Sequence, residues 1–151
     1  MFEDLNKLPN GVSDFAKLRK EQRIYVDKTD LIYKLTQNSS QPILFTRPRR
    51  FGKSLLVSTL KCLFTNQLEL FKGLKIEPLW QDTEQYYVLH LDFSSMNSTS
   101  VDAFKISFNN ALDRFILKHK LVINRNAGDS VSEKLIGICN AVGENKLVIL
   151  I

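Results

Sequence analysis

The chain has 151 residues, 44% of them hydrophobic and 25% charged, which suits one soluble globular domain or a large part of one. Its formal charge of +5 is mildly basic, and excludes neither a Lys-rich surface nor a nucleic-acid partner. Two cysteines, Cys62 and Cys139, without a CxxC pair or a His/Cys cluster, exclude a disulfide scaffold and a zinc site.

Both cysteines fall on apolar helical segments and read as small buried hydrophobes of a reducing compartment. Met1-Phe2-Glu3-Asp4 is acidic, with no apolar stretch of signal-peptide type behind it, and no apolar run reaches the length of a membrane span. The expectation is a cytoplasmic chain with no membrane partner.

In chain order, residues 1–25 read as an extended N-terminal segment, and residues 26–151 as the domain proper. Asp27-Lys28-Thr29-Asp30, followed by Leu31, Ile32 and Leu35, predicts a helix start with acid groups in the first turn. Asn38–Gln41 reads as a polar loop. Pro42-Ile43-Leu44-Phe45-Thr46 is a short apolar run between turn residues, the pattern of a buried strand. From Lys53 to Thr65, apolar residues at 55, 56, 60, 63 and 64 make one helical face.

Tyr86 to Phe93 is rich in aromatic and branched residues and predicts a second strand. Within it His90 reads as a satisfied core histidine, and Tyr86 and Tyr87 as sheet-face aromatics. Val101, Phe104, Phe108, Ala111, Leu112, Phe115 and Ile116 recur at spacings of three and four, an amphipathic helix ending near His119, where a cation suits the helix dipole. Ser130-Val131-Ser132-Glu133 has the spacing of a capping box, and Gly143 is placed to end the helix it opens. Leu147 to Ile151 reads as a last buried strand. Strands alternating with helices imply βαβ units and a mainly parallel sheet.

One segment carries chemistry. Arg47-Pro48-Arg49-Arg50-Phe51-Gly52-Lys53-Ser54 lies between a predicted strand and the helix after it. Against the phosphate-loop pattern GxxxxGK[ST] it matches at Gly52, Lys53 and Ser54, with Arg47 in place of the first glycine. Gly52 lets backbone approach a phosphate, and the amides that open the helix, through Leu55, point at the anion. Lys53 supplies charge to the β- and γ-phosphates, and Ser54 a hydroxyl ligand for Mg2+. The expected ligand is a nucleoside triphosphate, ATP in the first place. Arg49 and Arg50 read equally as phosphate contacts, as arginine fingers in a homo-oligomer, or as solvated charges. Asp92, at the end of a strand, is a weak catalytic candidate for positioning water or magnesium, against the commoner role of ending the strand.

The run from Arg47 to Leu56 resembles the signature of the bacterial AAA-ATPase-like proteins, in which arginine is usual at the first-glycine position. Leu8-Pro9-Asn10-Gly11-Val12-Ser13-Asp14-Phe15, Tyr25-Val26-Asp27-Lys28-Thr29, Phe71-Lys72-Gly73-Leu74 and Val88 to Ser94 resemble further blocks of that family, in its order. The resemblance implies a three-layer α/β fold around a parallel P-loop sheet. It also implies ATP and Mg2+ as ligands, and commonly a C-terminal PD-(D/E)XK nuclease-like domain that would bring a nucleic-acid partner. In the family a strand like Leu147–Ile151 is followed directly by the acidic Walker B pair. The chain stops there, so the resemblance implies a truncated domain, one that binds nucleotide and leaves hydrolysis to the intact protein. Two other readings stand beside it: a basic nucleic-acid-associated module, and an inactive truncated remnant.

Overall fold

The computed structural model describes residues 7–37, 42–123, 130–143 and 146–151. The predicted loop at Asn38–Gln41 lies outside them, as does the start of the N-terminal segment. The chain divides into two compact units, Met1–Glu84 and Gln85–Ile151.

The described part of the first unit is helical. Helix α1, Phe15–Lys20, opens where the Asp14 carboxylate accepts the Lys17 amide at 2.7 Å. Six residues do not hold a helix by propensity, so tertiary contacts must hold this one. Phe15 and Leu18 are fully buried, the Phe15 amide donates to Ser58 Oγ at 2.9 Å, and Arg19 donates to the carbonyls of Leu70 and Lys72, both at 2.7 Å. The extended reading of residues 1–25 is therefore corrected at α1, which is part of the core.

Helix α2, Thr29–Thr36, starts as its acidic first turn predicts, but Asp27 does more than begin it. One Asp27 carboxylate oxygen accepts from the Thr29 amide at 2.9 Å and the Thr29 hydroxyl at 2.7 Å, and the other accepts from the Lys75 amide at 2.8 Å. Thr29 Oγ1, fully buried, in turn accepts from the Ile76 amide at 3.0 Å. Helix α3, Lys53–Phe64, packs Cys62 and Leu63 against Phe15, Ile32, Leu70, Phe71, Leu74 and Ile76, with Tyr25 and Trp80 at the margin.

The run Pro42–Thr46, predicted as a buried strand, is not one here. It belongs to no ladder among the described residues, and Ile43, Leu44 and Phe45 are 49%, 89% and 39% exposed. Local composition can nominate a strand, but only a partner that takes up its amides and carbonyls makes one.

The second unit carries the sheet. Strand β1, Tyr87–His90, pairs in parallel with β2, Leu147–Leu150, in the register Tyr87↔Leu147 to His90↔Leu150. A parallel pair needs a long crossover, and α4 (Val101–His119) and α5 (Val131–Val142) lie within it. Ser100 caps α4 by accepting from the Ala103 amide at 3.0 Å. The predicted capping box on α5 is present in both directions: Ser130 Oγ accepts from the Glu133 amide, and the Glu133 carboxylate accepts from the Ser130 amide at 2.6 Å. Gly143 follows with φ 83°, left-handed backbone that glycine takes without strain. Leu89, Leu91, Leu112, Phe115, Ile116, Ile138 and Val142 form this unit's core, and Lys134 pairs with Asp113 from α5 to α4 at 3.1 Å.

Three side chains depart from their predicted settings. Cys62 is buried as expected, but Cys139 is exposed, because the α5 core stripe runs through Ile138 and Val142 and leaves position 139 outside it. His90 is exposed between the buried Leu89 and Leu91, whose side chains alternate to the opposite face of the extended chain. His119 is half-buried at the end of α4, a setting that disfavours the cation the helix dipole would suit. Its ring packs edge-on to Tyr87 and against Phe115, at centroid distances of 5.1 and 4.7 Å, and burial followed by the nearby Lys118 charge holds its pKa below the ordinary histidine value.

Candidate functional site

Residues 47–54 form an exposed loop that turns directly into α3. Two of its residues are left-handed: Arg50 at φ 66° and Gly52 at φ 78°, ψ 18°. Phe51 between them has negative φ, and Lys53 begins the helix, so the backbone hand alternates over four successive residues. Alternation of this kind turns consecutive amides toward one side and makes a concave nest for an anion.

At Gly52 it is the backbone angle that requires glycine. A Cβ there would meet no protein atom within 4 Å, so the space above the residue is open to a ligand. Gly52 also occupies the cap position of α3, where it has no side chain to offer the helix amides. The α3 ladder opens with the Leu56 amide donating to the Gly52 carbonyl at 2.9 Å, so the amides of Lys53, Ser54 and Leu55 come before it. Open amides, the positive end of the helix dipole and the nest face the same small region.

Lys53 folds back across the loop. Its Nζ donates to the Arg47 carbonyl at 2.5 Å and to the Pro48 carbonyl at 3.2 Å. The ammonium is thus held over the loop, bonded to groups that can exchange it for a phosphate oxygen. Arg47 is held from its other side, its guanidinium 5.0 Å from the centre of the Phe45 ring. Ser54, in the first turn of α3, is exposed, and its hydroxyl makes no hydrogen bond among the described residues. The loop thus brings together Arg47, Pro48, Arg49, Arg50, Phe51, Gly52, Lys53, Ser54 and Leu55, as their adjacency in sequence requires. Its curvature comes from the conformation of Arg50, which residue type did not reveal: the sequence reading weighed only its charge.

Asp92 has the geometry of a cap. Its carboxylate accepts from the Ser94 hydroxyl at 2.6 Å and the Ser94 amide at 3.0 Å, opening a single 3-10 turn over Phe93–Ser95. The Ser94 hydroxyl bond is the main cause holding its pKa below the ordinary carboxylate value. β1, which it follows, pairs with β2.

The family model described as Predicted AAA-ATPase matches residues 9–151, nearly the whole chain and all of the loop. The chain belongs to the AAA-ATPase-like family. Within the curated proteins, this AAA-ATPase-like chain is 41% identical over 88 residues to an "Uncharacterized protein in vnfD 5'region" of Azotobacter chroococcum mcd 1. The match covers 58% of the chain and 17% of that relative, so the AAA-ATPase-like chain matches a small part of a much longer protein. No solved structure matches it significantly. Among the described residues no helix is long and apolar enough to cross a membrane.

Proposed function

We propose that this AAA-ATPase-like chain binds ATP with Mg2+ through residues 47–55. The observation that carries the reading is the alternating backbone hand from Arg50 to Lys53, leading into a helix whose first amides have no side-chain cap. In this reading the nest and the Lys53, Ser54 and Leu55 amides hold the β- and γ-phosphates. Lys53 leaves the Arg47 and Pro48 carbonyls for a phosphate oxygen, and Ser54 is the protein ligand of a magnesium ion carried by the nucleotide. The same proposal includes the finer fold, a three-layer P-loop sheet, and a cytoplasmic setting. Hydrolysis is assigned to the intact protein, since it needs an acid to orient water as well as the loop. Arg49 and Arg50, exposed in the loop, are available as phosphate contacts in one subunit or as fingers across a homo-oligomer.

The test is calorimetric titration of Mg-ATP into the chain, with Lys53→Ala in parallel. Saturable binding that the substitution abolishes supports the proposal. A folded sample that takes up no Mg-ATP sinks it. The exposed Arg47, Arg49 and Arg50 favour one second reading, a basic loop that contacts nucleic-acid phosphates. Nucleic-acid affinity that falls steeply with salt, and that ATP leaves unchanged, would select it.

A further inference from the structure

A second polar site lies in the other unit. At the carboxyl end of β1 a cleft of about 200 Å³ opens between the end of the strand, the turn after it and α4. Its wall on α4 is made by Ser107, Asn110, Ala111 and Arg114, spaced i, i+3, i+4 and i+7, which is one face of the helix. The core face of the same helix is apolar, through Leu112, Phe115 and Ile116, and Ala111 joins it to the polar stripe of Ser107, Asn110 and Arg114. Opposite it stand His90, Asp92, Ser95 and the apolar Met96. The carboxyl ends of parallel strands are where open α/β sheets bind ligands.

Size and charge narrow the ligand. The cleft's volume lies below the roughly 300–1,000 Å³ of pockets that take drug-sized ligands, which favours a smaller one. Its lining carries both signs. Asp92 is ionised, its carboxyl held low by the Ser94 hydroxyl, and Arg114 is always a cation. Both line the same cleft, yet they make no ion pair with one another, and Arg114 makes none with any other described residue. Opposite charges that share a small cleft without meeting do not favour a bare anion or a bare cation. They favour a ligand that carries both.

We propose that this cleft binds a small zwitterion of the α-amino-acid class, its carboxylate held by Arg114 and its ammonium by Asp92. Ser95, Ser107 and Asn110 line the same space and offer both donors and acceptors to the rest of the ligand. Guanidinium suits the planar carboxylate, since its donors form a rigid fork that can engage both oxygens. The site does not depend on the phosphate loop.

The experiment is a titration of the full chain with each of the twenty amino acids, followed by amide NMR shifts. For any that binds, the corresponding amine lacking the carboxylate, the acid lacking the amine, and inorganic phosphate are titrated as well. The expected result is saturable binding of at least one amino acid at millimolar concentration or below, with each one-charge analogue weaker by about tenfold or more. Arg114→Gln and Asp92→Asn should each weaken it similarly. Asparagine retains a carbonyl that can cap the Ser94 turn, so Asp92→Asn removes charge while leaving the fold. Lys53→Ala should leave it unchanged. No shift from any amino acid up to about 10 mM in a folded sample would overturn the proposal. So would phosphate or the acid analogue binding as tightly as the amino acid, or indifference of binding to both substitutions.

Discussion

The ammonium of Lys53 lies 2.5 Å from the carbonyl oxygen of Arg47, six residues before it, and closes the loop on itself. The bond is exposed to water and so contributes little to stability, about 1 kcal/mol or less. Lys53→Ala should therefore shift a urea unfolding midpoint only slightly while removing Mg-ATP binding. In the parent chain, Mg-ATP at a hundredfold excess over its Kd should raise unfolding free energy by about 2.7 kcal/mol. A large loss of stability in the variant would mean that Lys53 serves the fold rather than the ligand.

Arg50 separates backbone from charge. A non-glycine residue in the left-handed region carries about 1–2 kcal/mol of strain, and glycine relieves it at a cost of about 0.5–1 kcal/mol in chain entropy. Arg50→Gly should leave stability equal or up to about 1 kcal/mol higher and keep the nest. Arg50→Val, whose branched Cβ resists positive φ, should lose about 1–2 kcal/mol or reshape the loop. Nucleotide affinity should then follow the backbone, with glycine binding better than valine although both lack the charge. Equal affinities would make the guanidinium the only contribution of position 50.

Asp27 links pH to stability. Burial pushes its carboxyl up, but bonds from the Thr29 hydroxyl and amide and the Lys75 amide outweigh it and hold the pKa below the ordinary value. A pKa lower in the folded than in the unfolded chain gives stability that is present above the unfolded value, about 3.9, and lost as pH falls through the folded value. Asp27→Asn turns an NH2 group toward the Lys75 amide or the Thr29 donors. It should cost about 1–3 kcal/mol at pH 7 and flatten the acid limb of a stability–pH curve. An unaltered acid limb would show that other carboxylates govern it.

The two thiols should differ sharply. Cys139 is exposed, while Cys62 is buried and its thiol pKa is raised by that burial above all. A chromogenic disulfide at pH 8 should modify one thiol quickly and the second only after denaturant is added. Cys139→Ser should abolish the fast phase.

Phe15 tests the standing of α1. It is fully buried, with its ring 4.8 Å from Phe71 and 5.3 Å from Tyr25. Phe15→Ala should cost about 3–5 kcal/mol in chemical unfolding, enough to unfold a marginal domain. A loss below about 1 kcal/mol would make α1 peripheral.

Several features could be read in advance because they are local. The α5 capping box needs only Ser130 and Glu133 three residues apart, and α4 needs only its spacing of apolar residues. The order Gly52-Lys53-Ser54 before an amphipathic helix pointed to the loop, and adjacency alone keeps its residues together. Tertiary structure decided whatever depends on distant partners. Pro42–Thr46 is apolar enough for a strand, yet pairing, not composition, makes one, and here it stays exposed. Phe15–Lys20 is too short to be helical alone and is held by Ser58, Leu70 and Lys72, more than forty residues away. Which face of β1 or α5 is covered placed His90 and Cys139 in water, and the fold of the loop gave Arg50 its left-handed turn. Residue type sets what a side chain can do chemically. Only the assembled chain sets what surrounds it, because burial and pairing are properties of neighbours far away in sequence.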